Sequence, residues 1–230
     1  MTKKTVFEVM NDDTKVALHM WIPKGPVHTV VQISHGMAEH ALRYDRLAEF
    51  LVKHGIAVYA HDHRGHGQTA KNKDALGFIA AKNGFTRVVE DVYTLLLKTK
   101  KDFPNAKIVL FGHSFGSFVA QSFIECYGLE IDACILCGTA GPNPLLAYAG
   151  KCLSGIISAI KGPRYRSKFL DFVSFGSYNN KIPHKQTKFD WLSRDNNEVE
   201  KYINSDYCGF LCSASFFNDI STGLARIHNK

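Results

Sequence analysis

No run of eighteen or more apolar residues occurs in this 230-residue chain, so no segment of it is expected to span a bilayer. The first residues, Met1-Thr2-Lys3-Lys4, lack the apolar core and cleavage site of an export signal and lead straight into strand-like sequence. Acidic side chains are the minority charge, 21 Asp and Glu against 28 Lys and Arg, which leaves a formal net charge of +7. The basic residues are scattered apart from 98–101 and 161–168, and no basic stripe interleaved with aromatics is present. No common nucleic-acid module appears, and both clusters read first as solvated faces, with a phospholipid surface preferred to nucleic acid as an anionic partner. Without an export signal, the six cysteines (Cys126, Cys134, Cys137, Cys152, Cys208 and Cys212) are expected to be reduced thiols of a cytoplasmic protein. Cys134 and Cys137 have C-x-x-C spacing, but no second such pair or suitably spaced histidine pair accompanies them. Strand alternation would send their sulfurs to opposite faces, so both are read as core residues rather than metal or redox ligands.

What is present is enough apolar sequence, 45% of residues, for one well-buried core. Residues 5–9 and 15–22 read as strands joined by the turn-rich Asn11-Asp12-Asp13-Thr14. Further apolar strands are expected at 29–33, 56–60, 107–111 and 133–137. Helical spacing marks 41–54, 85–102 and 117–127. Strands alternating with helices imply a mostly parallel α/β sheet covered on both faces, with the first two strands as an antiparallel edge. After Gly141-Pro142-Asn143-Pro144 the texture becomes loop-rich and aromatic. A core over 1–140, a cap insertion over 141–220 and a return to the core over 221–230 are therefore expected. In the insertion, 145–160 reads as an amphipathic helix with Leu145, Ala149, Cys152, Ile156 and Ile160 on one side. That side is expected to pack on the core, line an acyl pocket or touch lipid.

Chemistry concentrates in Gly112-His113-Ser114-Phe115-Gly116, set between a strand and a helix. A serine on such a strained turn is lifted above the sheet edge, and the helix behind it points its N-terminus at charge formed there. A second piece follows the third strand: Ser34-His35-Gly36-Met37-Ala38-Glu39-His40. A tetrahedral oxyanion needs two N–H donors, and loops of this kind supply one of them. His61-Asp62-His63-Arg64-Gly65-His66 resembles the histidine run of metallo-β-lactamase-type hydrolases, but Gly65 stands where the acidic ligand is expected. A hydrogen-bonded supporting loop anchored by Arg64 is the preferred reading over a metal site.

Taken together, H-G-M-A-E-H, H-D-H-R-G-H-G-Q-T and G-H-S-F-G-S resemble the monoacylglycerol lipase and lysophospholipase group of α/β-hydrolases, the serine aminopeptidase-type family. The resemblance is strong over 7–139 and looser through Phe189-Asp190-Trp191-Leu192-Ser193-Arg194. It implies an α/β-hydrolase fold with a cap and an acyl-enzyme mechanism. Ser114 would be the nucleophile, the N–H groups of Met37 and Phe115 the oxyanion hole, and His35, Gly36, Arg64 and His113 the support. The implied substrates are esters carrying one acyl chain, and no cofactor is implied. Aminopeptidase, thioesterase and acyltransferase chemistry remain open on the same fold, because specificity resides in the cap.

The family's triad runs Ser, then Asp, then His in chain order. No strand ending in an S-G-x-x-D-like turn and no late H-E-like motif is found before Lys230. Asp219, His228, Asn143 and His113 are poor substitutes by position. The expectation is a C-terminally truncated product, lacking about 60 residues of two βα units. The strand at 133–137 would then form a bare apolar edge able to self-associate. The alternative to a serine esterase is a catalytically incomplete fragment that binds lipid or a partner.

Overall fold

The computed structural model describes residues 1–227 and places six strands in one sheet of order β1-β2-β4-β3-β5-β6. These are β1 (Thr2–Val9), β2 (Lys15–Ile22), β3 (Thr29–Ser34), β4 (Ala57–His61), β5 (Lys107–His113) and β6 (Ala133–Cys137). β1, β2 and β4 pair antiparallel, while β3 is parallel to β4 and β5, and β5 to β6. The antiparallel edge and the parallel centre both match the sequence expectation.

Side-chain alternation along the strands feeds two cores. One face carries Leu18, Met20, Val30, Tyr59, Ile108 and Leu110, covered by α2 (Gly84–Asp102) and α3 (Phe115–Tyr127). The other carries Trp21, Val31, Ile33, Val58 and Ala60, packed on α1 (Asp45–Lys53). Strands buried on both faces read as continuous apolar runs, which is why 29–33 and 56–60 were recognisable. The helix expected over 41–54 is divided: a short 3-10 turn, Ala41–Tyr44, precedes α1.

Beyond β6 the chain forms α4 (Pro144–Lys161), α5 (Lys168–Phe175), α6 (Asn196–Ile203) and α7 (Ala214–Ile227). α7 is one continuous helix across the boundary expected at residue 220, and it lies against α2, α3 and α4. Small side chains let α4 and α7 approach closely: a Cβ on Gly150 would stand 2.7 Å from Ser221 Oγ, and Asn218 Nδ2 donates to Lys151 O at 2.8 Å. The side of α4 bearing Leu145, Ile156 and Ile160 therefore faces outward, and Leu145 is 82% exposed. Packing on the core, one of the three roles weighed for that side, does not occur. Gly150 and Ser154 let the two helices approach, and Leu153 and Ile157 beside them pack on the core. Among the described residues no helix is long and apolar enough to cross a membrane.

The cysteine reading needs correction. The six cysteines are unpaired, but Cys137 is exposed and Cys134 only half-buried. β6 is an edge strand, and Ile135 and Leu136 on it are exposed as well. An apolar strand at the sheet edge has no neighbour to bury it, whatever its composition.

Asp219 serves the fold. Asn83, at the N-terminus of α2, has φ +57° and makes no side-chain cap, so Asp219 reaches over from α7 and accepts the Gly84 N–H at 2.9 Å. Such a bond satisfies a donor that a helix start leaves open. Burial outweighs this bond and raises the Asp219 pKa from 3.8 to about 6. The folded state therefore binds that proton more tightly than the unfolded chain does. Its stability should fall, by up to about 3 kcal/mol, as pH rises from about 4 to about 6. Asp219→Asn keeps an acceptor for Gly84 and should flatten that slope in urea melts taken across the interval.

Candidate active site

β5 ends at His113 and α3 begins at Phe115, so the chain passes from strand to helix through Ser114 alone. Ser114 has φ +51° and ψ −117°, a sparsely populated conformation costing about 1–3 kcal/mol for a residue with a side chain. The flanking glycines make it possible. A Cβ on Gly116 would overlap the Ser34 carbonyl, and one on Gly112 would lie 2.8 Å from Ser117 Cα. The Ser114 N–H donates to Cys137 O at 2.9 Å, and Ser117 Oγ donates to Ser114 O at 2.6 Å. Phe115 opens α3, so its N–H has no intrahelical acceptor, and its buried ring packs on Phe85, Phe216 and His63.

Ser34 pairs with Gly112 on one side and with His61 on the other, so three loops leave the sheet at the same level. In the loop after β3, the Gly36 N–H donates to Glu39 Oε1 at 2.6 Å and the Ala38 N–H to His66 Nε2 at 3.3 Å. Ala41 N–H donates to Asp62 Oδ1 at 2.8 Å. Among the described residues the Met37 N–H has no acceptor.

Glu39 was not singled out from the sequence, yet it organises this loop. Its carboxylate is buried and receives bonds from Gly36 N–H, Tyr44 Oη at 3.0 Å, Arg43 and His113, whose Nδ1 lies 3.0 Å away. Burial alone would raise its pKa. The His113 hydrogen bond and the Arg43 charge more than offset that and bring it from 4.5 to about 2. The signal available was its spacing, four residues before Arg43 and five before Tyr44, but the partner on β5 was not visible.

Under the loop lies a set of buried imidazoles whose tautomers follow from their partners. His35 Nε2 accepts the His63 N–H at 3.0 Å, so its Nδ1–H donates to Gly36 O at 2.7 Å. His66 Nε2 accepts from Ala38, so its Nδ1–H donates to Arg64 O at 2.9 Å. His63 Nε2–H donates to His35 O at 3.1 Å and its Nδ1 accepts from His61 at 3.0 Å. Each of these rings is therefore neutral. Burial lowers the His35 pKa to about 3 and those of His61 and His66 to about 4. The lone pairs of His63 and His66 are held by protein donors rather than left for a metal. Arg64 binds Asp91 at 2.6 and 2.8 Å and Asp12 at 2.6 and 2.9 Å, tying the loop to α2 and to the β1–β2 turn.

A cavity of about 950 Å³ opens over Ser114, with Gly36, Met37 and His113 beside it. The 141–213 segment supplies its aromatic wall: Phe172, Phe175, Tyr178, Phe189 and Trp191. Phe175 stacks on Trp191, and Tyr178 meets the same indole edge-on at 4.8 Å between ring centroids. Asp171, Lys185 and Lys188 add charge to the lining.

The structure gathers Ser114, Met37, His35, Gly36 and His113 at this place, with Arg64 behind them. Asp219 lines a separate cavity among α2, α4 and α7, and Asn143 caps α4 by accepting the Leu146 N–H at 3.2 Å. His228 lies outside the described residues. Among the described residues no imidazole or carboxylate is hydrogen-bonded to Ser114 Oγ.

A mostly parallel sheet under helices on both faces, with a serine raised on a one-residue strand-to-helix turn, is an α/β-hydrolase fold. Solved structures agree. A thermostable carboxyl esterase from Bacillus coagulans superposes with a TM-score of 0.85 at 24% identity, covering 97% of this chain and 73% of that one. The chain belongs to the serine aminopeptidase family, whose model matches residues 25–230. It is 34% identical to the monoglyceride lipase of Rattus norvegicus over 192 residues, 81% of this chain and 54% of that protein. It is 31% identical to the monoacylglycerol lipase of Mycolicibacterium smegmatis over 151 residues, 64% of this chain and 52% of that protein. The chain thus spans about half the length of these relatives.

The ionised Glu39 contributes stability above pH about 4.5 that is lost as pH falls towards about 2. Glu39→Gln should cost about 2 kcal/mol at neutral pH and flatten the acid limb between those values. Chemical denaturation of both proteins across that range reads the effect.

Proposed function

We propose that the chain carries the nucleophile and oxyanion-binding elements of a carboxylic ester hydrolase acting on esters with one acyl chain, of the monoacylglycerol or lysophospholipid type. The observation that carries this reading is the strained Ser114 under an aromatic cavity, with the unpartnered Met37 N–H alongside. Two relatives are named for monoacylglycerol lipase activity, which supports the substrate class. Ser114 Oγ attacks the ester carbonyl carbon, and as the acyl C–O bond breaks the serine proton ends on the departing alcohol oxygen. Water then cleaves the acyl-serine. The N–H groups of Met37 and Phe115 stabilise the oxygen that becomes negative in each step, and the N-terminal end of α3 adds to that field. The aromatic wall accommodates the acyl chain.

On the outward apolar side of α4, Leu145, Ile156 and Ile160, with Phe169 and Val173 on α5, are 55–82% exposed. Lys151, Lys161 and Lys168 stand on the same elements. Apolar rows flanked by lysines suit an anionic lipid surface, where such esters reside. A Leu145→Glu/Ile156→Glu double variant should bind anionic vesicles at least about fivefold more weakly in a sedimentation assay, with unchanged thermal stability.

A second reading, ligand binding without turnover, is favoured by one observation: Ser114 Oγ has no base bonded to it among the described residues. A fluorophosphonate probe and a monoacylglycerol turnover assay separate the two. Turnover and labelling that both vanish in Ser114→Ala support the hydrolase. Acyl-ligand binding with no turnover supports the second reading, and equal labelling of Ser114→Ala overturns the nucleophile assignment.

A further inference from the structure

We infer that α6 and the loop behind it latch the loop after β3, with Tyr202 as a positioning residue for the Met37 N–H. The inference rests on the ester-hydrolase reading above. Ala38 has φ +53°, a left-handed conformation that a residue with a Cβ holds only where its surroundings impose it. Its peptide groups are gripped from opposite sides. From the core, His66 Nε2 accepts the Ala38 N–H. From the 196–209 segment, Tyr202 Oη donates to Ala38 O at 2.8 Å and the Gly209 N–H donates to the same oxygen at 2.9 Å. Two residues earlier, the Gly36 N–H is held by Glu39. The Gly36–Met37 peptide, which carries the Met37 N–H, is thus suspended between fixed points. Its direction is set partly by residues more than 160 positions further along the chain.

The latch is built to hold one position. Tyr202 is 6% exposed, its ring meeting Phe189 at 5.0 Å between centroids and lying 5.0 Å from the Arg43 guanidinium. Arg43 is also the ion-pair partner of Glu39, so the ring and the carboxylate share a neighbour. Gly209 has φ +65°, and a Cβ there would stand 2.8 Å from Phe189 Cζ, so glycine is needed to bring that N–H to Ala38. Tyr202, Gly209 and Phe189 all line the cavity over Ser114. A ligand filling the cavity therefore touches the residues that orient the proposed oxyanion donor, which links occupancy of the aromatic wall to geometry at the serine.

Tyr202→Phe removes the hydroxyl and keeps the ring. Three measurements on the whole chain test it: hydrogen exchange across 36–44, fluorophosphonate labelling of Ser114 resolved into probe affinity and maximal rate, and the thermal midpoint. The expected result is exchange about three- to tenfold faster in that segment alone. The maximal labelling rate should fall by a similar factor at unchanged probe affinity. Wild-type exchange and labelling in Tyr202→Phe, or exchange that accelerates evenly over the whole sheet, would overturn the latch. If Ser114→Ala still labels while Tyr202→Phe loosens 36–44, the latch stands and the nucleophile reading falls. If Ser114→Ala abolishes labelling while Tyr202→Phe is silent, the latch alone falls.

Discussion

The turn at Ser114 is the constraint on which the rest of the site depends. Reversing from strand to helix in one residue forces a side-chain-bearing residue to φ +51°, and α3 must then press against β3 closely enough that Gly116 meets the Ser34 carbonyl. That contact brings the loop after β3 to the level of the serine, because Ser34 and Gly112 are already in register. A larger residue at Gly112 or Gly116 would push α3 away and separate the two loops. The strain at Ser114 is held by the Cys137 carbonyl on its N–H and by Ser117 on its carbonyl, so β6 also takes part in keeping the serine raised.

Beneath that turn, polar groups replace the hydrophobic contacts that fill the rest of the interior. Two neutral imidazoles, His35 and His66, together with Asp62 and Glu39 accept backbone donors of the loops after β3 and β4. A buried donor without a partner is costly, so His35, His63 and His66 are each oriented by the bond they must accept. This explains how a histidine-rich stretch that looks like a metal site works as scaffolding. Arg64 closes the arrangement at the back through two aspartates on different elements, and Tyr202 and Gly209 close it at the front.

The segment over 141–213 combines two kinds of surface. Its inner aromatics form the cavity wall over Ser114, whereas the outer apolar side chains of α4 and α5 meet solvent. α4 can do this because its inner face, with Gly150, Leu153, Ser154 and Ile157, docks on the core and α7, while Leu145, Ile156 and Ile160 lie on the opposite side. The same helix therefore approaches the core closely and still presents an apolar row outward, which joins the proposed ester pocket to the proposed lipid contact.

Much of the fold was legible because it is written in local terms. Apolar runs marked the buried strands, helical spacing marked α2 and α4, and the G-x-S-x-G sequence between a strand and a helix marked the serine turn. Family membership was legible in three short motifs. The roles of Glu39, Asp62 and Tyr202 were not, nor was Asp219 as a helix cap. Their partners lie at sequence separations such as 74, 164 and 135 residues, and no local pattern encodes such pairs. The sequence by itself determined which segments become strands and helices and where a strained serine would stand, because backbone geometry and side-chain periodicity act within a few residues. Only the tertiary structure decided which face of α4 is buried, which histidine tautomers are present and what holds the peptide beside Met37. Those depend on how distant elements pack together.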